Sequence, residues 1–187
     1  MKYIIIVLLS LSLFSCNTTL DINEDPTTSI NATNDVVLPA AQVNLAVAIS
    51  RFNNLIAPWG QYWAGGPGVG TPGMEKYNLS SVDNNTAWQS SYSGALQDMF
   101  YLINSTDLQY RGVGKVMSAY LYQVLVDLHG DIPFSEATRG AKEYGSVITP
   151  KYDKDTAIYT SLITMLNEGI DDISNITTIR NIINSFI

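Results

Sequence analysis

Three stretches of this chain place apolar residues three and four positions apart over several turns, a pattern that makes helices which cannot stand alone in water. Residues 86–104 carry Trp88, Tyr92, Leu96, Met99 and Ile103 on one face. Residues 111–129 carry Val113, Val116, Tyr120, Leu121, Val124 and Leu128, with Gly130 placed as a left-handed C-terminal cap and Pro133 beyond it. Residues 153–174 carry Ile158, Leu162, Leu166, Ile170 and Ile173, with Asp153 as the expected N-cap. A further helix is expected from Asp35 as cap, through Val36, Val37, Ala40, Val43, Val47 and Phe52, with Pro39 in its first turn, where proline is tolerated. Strand patterns are scarce; a short extended piece is expected at Tyr77–Val82. Each stripe has to be buried against another helix, so the expected class is mainly α, built of helix pairs.

Ahead of these helices stands a leader. Lys2 precedes a run from Tyr3 to Phe14 that is nearly all apolar, and Ser15 supplies a small residue before Cys16. That is the layout of a secretory signal, and the run is shorter than the roughly 20 residues that span a bilayer. Leu13-Phe14-Ser15-Cys16 resembles a bacterial lipobox, with Phe14 bulkier than the usual residue there. Cys16 is therefore expected to be the lipid anchor, each buried methylene of its acyl chains contributing about 0.8 kcal/mol. Residues 17–34 are polar, contain Pro26, and read as a tether leading away from the lipid.

Composition removes several kinds of chemistry. Cys16 is the only cysteine and His129 the only histidine, so thiolate zinc sites, multi-histidine metal sites and disulfides within the exported chain are excluded. The net charge of −7 repels phosphate backbones, which argues against nucleic acid as a partner. Only 14% of residues are charged, while Asn, Ser, Thr and Tyr abound; such a surface offers hydrogen bonds and ring faces to neutral polar ligands.

Three motifs fail on inspection. Gly68-Val69-Gly70-Thr71-Pro72-Gly73 has the glycine spacing of a dinucleotide loop, but Pro67 and Pro72 interrupt it and no helix begins inside it. Asp21-Ile22-Asn23-Glu24-Asp25 opens like a calcium loop, yet Pro26 stands where that loop needs glycine and Ala32 where it needs glutamate. Asp127, Asp131 and Glu136 bracket a tight turn. A glycosidase needs two carboxylates across a cleft, one with a raised pKa, whereas a turn this compact more naturally spends them as caps. His129, at a helix C-terminus, reads as a capping or surface group.

What is left for binding is a cluster of rings in a loop. Trp59, Tyr62 and Trp63 precede a Gly/Pro-rich stretch and are the candidate ligand-binding residues, able to stack on sugar faces while Asn and Gln meet the hydroxyls. Packing alone is the competing account of the same rings.

The run Asp127-Leu128-His129-Gly130-Asp131-Ile132-Pro133-Phe134-Ser135-Glu136-Ala137 resembles the D-L-Y-G-D-I-P-Y-S-E-A signature of SusD/RagB-like outer-membrane lipoproteins. Further matches stand in order around it: Leu20-Asp21-Ile22-Asn23, Gln61-Tyr62-Trp63-Ala64-Gly65, Trp88 to Leu96, Lys115 to Leu121, and Pro150-Lys151-Tyr152-Asp153 followed by Ile158-Tyr159. His129 and Phe134 stand where the family more often has tyrosine. The resemblance covers residues 16–174. It implies a helical, tetratricopeptide-containing lipoprotein on the bacterial cell surface that captures glycans or other nutrients as a lid over a SusC-like TonB-dependent transporter. No catalytic residue and no cofactor carries over. On this reading residues 1–15 are the signal, 16–34 the tether and 35–187 an incomplete SusD-like helical domain, with 177–187 a tail outside the resemblance. An incomplete domain is expected to leave apolar helix faces open. The rival readings are a helical scaffold lipoprotein without a ligand and a surface glycosidase using Asp131 and Glu136.

Overall fold

All four apolar stretches become helices in the computed structural model, which describes residues 32–64, 66, 75–80 and 82–184. The leader, Cys16, nearly all of the tether, the glycine loop at 68–73 and the carboxylates at 21–25 lie outside the described residues. α1 spans Asn34–Ile56. α2 (Asn85–Gln89) runs through a π-helical turn (Ser90–Ala95) into α3 (Leu96–Ile103), making one rod. α4 spans Leu108–His129 and α5 spans Asp155–Asn184. Between them lie β1 (Ile132–Pro133), a 3-10 turn (Lys142–Tyr144) and β2 (Tyr152–Asp153), the strands pairing antiparallel with Ile132 opposite Asp153.

The rods pack antiparallel in chain order. Three links run along α1 and the α2–α3 rod: Asn34 Nδ2 donates to Ser105 Oγ at 2.7 Å, Asn44 Nδ2 to Asp98 Oδ2 at 2.7 Å, and Arg51 Nη1 to the Thr86 carbonyl at 3.0 Å. The π turn follows from its serines. Ser90 and Ser91 both donate to the Ala87 carbonyl and Ser93 to that of Gln89, competing with the backbone amides and widening the helix. The wider turn carries Tyr92, whose hydroxyl donates to the Pro133 carbonyl at 2.8 Å, tying the rod to β1.

α4 lies between two partners, and glycines decide how near they come. A Cβ on Gly114 would sit 2.9 Å from Leu102 Cβ on α3, and one on Gly112 would sit 2.8 Å from the Gly169 carbonyl on α5. Gly169 reciprocates, its own Cβ position lying 3.0 Å from the Gly112 carbonyl. Beside that crossing Asp172, nearly buried, accepts from Arg111 Nε at 2.9 Å and Nη2 at 2.5 Å and from Lys115 Nζ at 3.0 Å, while Lys115 also meets Glu168 at 3.0 Å. The Arg111 guanidinium, with help from Lys115, holds the Asp172 carboxyl down at about 2.

Several local expectations are corrected. α1 begins at Asn34 with Thr33 at the cap position, so Asp35 is a first-turn acid and Pro39 lies beyond the first turn. Its buried face is Val37, Ala41, Ala48, Phe52 and Leu55, while Val36, Val43 and Val47 point to solvent. On α4 the buried set is Gly112, Gly114, Ser118, Ala119, Leu121, Tyr122, Leu125 and Val126, and Tyr120 and Leu128 are exposed. Small residues win these positions because close backbone approach excludes large ones. Gly130 has the expected positive φ of 73°, but its ψ of −120° is not that of a left-handed helix. Asp153 belongs to β2 instead of capping α5, and α5 continues past Ser174. Tyr77–Val82 forms no strand among its described residues. Leu166, Ile170 and Ile173, expected on the buried stripe, instead stand exposed on α5, joined by Ile163, while Ile158 and Leu162 of the same stripe are buried.

Two predictions follow from the α4–α5 seam. Helix propensity alone favours Gly→Ala by about 1 kcal/mol, yet Gly112→Ala should lower the thermal midpoint, because overpacking costs about 1–3 kcal/mol and backbone cannot step aside. Gly94→Ala, whose Cβ meets Asn44 Cγ at an ordinary 3.9 Å, should not. Asp172→Asn should destabilise by on the order of 1–3 kcal/mol, between exposed and buried ion pairs. Since the folded pKa lies below the unfolded value of about 3.9, that stabilisation is complete only above about pH 5 and fades as pH falls toward 2. The wild-type minus variant difference in urea midpoint should shrink over that window.

Candidate ligand-binding surface

The ring-bearing loop leaves α1 by a tight reversal. The Gly60 amide donates to Ile56 O at 3.0 Å and the Tyr62 amide to Ala57 O at 3.0 Å, while Gln61 takes a positive φ of 56°. Tyr62 folds over Gly60, where a Cβ would lie 2.9 Å from its ring. This reversal separates the three rings. Trp59 turns inward, its ring 6.1 Å from Tyr77, whose hydroxyl donates to the Trp59 carbonyl at 2.9 Å. Its indole N–H is buried and has no acceptor among the described residues, at a cost of about 1–3 kcal/mol. Tyr62 is 86% exposed and Trp63 52% exposed.

Trp63 stands at a groove of about 730 Å³ between α1 and α4, walled by Leu45, Ile49, Val113 and Met117. Tyr120 joins it there, and Gln42, Ser50 and Asn53 add amides and a hydroxyl. The expected trio is thus not one site. Trp63 gains Tyr120, which periodicity had assigned to the core, Tyr62 lies beside the loop glycine, and Trp59 supports the loop from within. A signal for the polar side of the groove was present in the sequence: Gln42, Ala46, Ser50 and Asn53 fall at helical spacing on one stripe of α1.

Of the carboxylates that bracket the turn, Asp131 and Glu136 accept backbone amides, while Asp127 accepts from the Tyr159 hydroxyl. Asp131 accepts from Lys154 Nζ at 2.6 Å and from the Asp155 amide at 3.1 Å, so it satisfies the start of α5. Asp153 accepts from the Phe134 and Ser135 amides and the Ser135 hydroxyl, and Glu136 from the Lys151 amide at 3.1 Å. The Lys154 ammonium and the Asp155 amide hold Asp131 below the ordinary carboxylate range. Burial works against the charge on Asp153, but the Ser135 amide and hydroxyl outweigh it and its pKa also falls. A proton-donating carboxyl requires the opposite shift. His129 stands exposed in the last turn of α4, as expected of a surface group, and it also makes side-chain contacts. Its ring stands edge-on to Trp88 at 5.1 Å and meets Asn84 Nδ2 at 2.8 Å through Nε2, and burial lowers its pKa.

Among the described residues no three His, Cys, Asp or Glu side chains gather as a metal site, and no helix is long and apolar enough to cross a membrane. No curated protein matches the chain. A family profile does, over residues 26–185, that of the SusD-like proteins described as starch-binding and associating with the outer membrane. The match runs past Ser174, where the residue-by-residue resemblance ends, and takes in the whole helical array. This chain belongs to the SusD-like family.

Proposed function

We propose that this chain is a surface lipoprotein that captures a glycan and passes it to a SusC-like TonB-dependent transporter, held to the outer membrane through acylated Cys16. The observation that carries the reading is the exposed Trp63 beside Tyr120 on a groove with amide and hydroxyl groups along one wall. Ring faces of this kind stack on the C–H faces of sugars, and Gln42, Ser50 and Asn53 supply donors and acceptors for sugar hydroxyls. Tyr62 extends the aromatic surface outside the groove, while Trp59, braced by Tyr77, sets the height of the loop. Binding by shape and ring contact needs no cofactor, and it agrees with turn carboxylates that are committed to backbone amides. The SusD-like family's description as starch-binding supports a neutral α-glucan as the first ligand to try.

The scaffold reading rests on a separate observation, the exposed apolar stripe of Ile163, Leu166, Ile170 and Ile173 along α5. Copurification with a transporter, without binding of any oligosaccharide, would favour it.

Calorimetric titration with maltoheptaose should show saturable binding. Trp63→Ala and Tyr120→Ala should each weaken it roughly 3- to 10-fold, the loss of one ring contact worth about 0.5–1.5 kcal/mol. Trp63→Ala with unchanged affinity would remove this groove as the site. In cells, Cys16→Ser should abolish labelling by radioactive palmitate and release the protein from the membrane fraction; labelling that persists would refute the anchor.

A further inference from the structure

A second cavity lies on the other side of the α4 rod from the Trp63 groove. It measures about 210 Å³ and is enclosed by α3, α4, α5 and the segment after β1. Its walls are aromatic: Phe100 from α3, Tyr122 from α4, and Phe134, whose ring stands edge-on to Tyr122 at 4.8 Å. An apolar cavity of about 150 Å³ accepts one benzene ring, so this one has room for a single ring with a small substituent.

Two side chains on its lining carry hydroxyls, Ser118, which is 2% exposed, and Tyr122, which is 7% exposed. The third polar group is a cation. Arg139 lines the same cavity and is exposed, and it is not among the ion pairs of the described residues. Other cations nearby are committed: Lys115 to Glu168 and Asp172, Lys151 to Asp153, and Lys154 to Asp131. The backbone holds Arg139 in place at some expense. Thr138, just before it and also on the lining, takes a φ of 62°, a region that β-branched residues avoid. The charge of Arg139 is felt at the Tyr122 phenol, where it opposes the upward push of burial.

We propose that this cavity binds a small single-ring carboxylate, with the ring against Phe100, Tyr122 and Phe134 and the carboxylate against the Arg139 guanidinium. The Tyr122 and Ser118 hydroxyls donate to its oxygens or to polar substituents on the ring. A neutral sugar would leave the guanidinium unused and set its hydroxyls against three aromatic walls. The site is separate from the Trp63 groove and does not depend on glycan capture.

The test is calorimetric titration of the full chain with benzoate, benzyl alcohol and glucose in turn. Benzoate should bind saturably, benzyl alcohol more weakly and glucose not at all. Arg139→Gln, an exposed substitution that should leave the thermal midpoint unchanged, should weaken benzoate about tenfold or more, as expected for losing a charge-assisted hydrogen bond. Ser118→Val should weaken it as well, with Arg139 intact. No saturable benzoate binding, equal affinity in Arg139→Gln, or benzyl alcohol binding as tightly as benzoate would each overturn the proposal.

Discussion

Contact between two backbones, at Gly112 on α4 and Gly169 on α5, sets the spacing on which the other packing depends. With no Cβ on either side the rods meet main chain to main chain, and that proximity brings Asp172 within reach of both Arg111 and Lys115. Apolar burial is non-directional and would tolerate many ways of sliding one rod along another. The glycine crossing and the ion cluster beside it permit one register. Gly114 does the same toward α3, so α4 is held from both sides and becomes the rod that the others are placed against.

The turn after α4 is the second fixed point. Asp131, Glu136 and Asp153 all accept backbone N–H groups, and together they hold a two-residue ladder that the hydrophobic effect could not hold by itself. The energetics are those of capping: each carboxylate accepts main-chain N–H groups of the turn or of the start of α5. Tyr92, delivered by the π turn, reaches the same place through the Pro133 carbonyl. The segment that looked most like chemistry in the sequence is therefore the clasp that turns the chain back into α5. The Trp63 groove and the cavity behind the clasp lie on opposite sides of α4.

Legibility in the sequence varied with the kind of signal. The existence of the helices and the structural use of Asp131 could be read because both rest on local chemistry, a period near 3.6 and carboxylates beside freed amides. The buried faces of α1 and α4 could not be read in the same way. Both helices carry two apolar stripes, Val36/Val43/Val47 against Val37/Ala41/Ala48 on α1, and periodicity does not say which one faces inward. For Trp59, Tyr62 and Trp63, neighbours in sequence proved to be poor evidence of neighbours in space. A positive φ at Gln61 reverses the chain between the rings, and Tyr120, from far along the chain, lines the same groove as Trp63.

The sequence by itself determined an amphipathic, helix-rich chain of the SusD-like family, because helix periodicity, capping groups and an ordered set of short motifs are all local properties. It also limited the chemistry, since one cysteine and one histidine leave few ways to build a metal site or a triad. Tertiary structure alone decided which stripe is core, which carboxylates are spent on amides, and which rings share a groove. Those outcomes depend on how closely two rods approach, and that distance is fixed where glycines from separate helices meet.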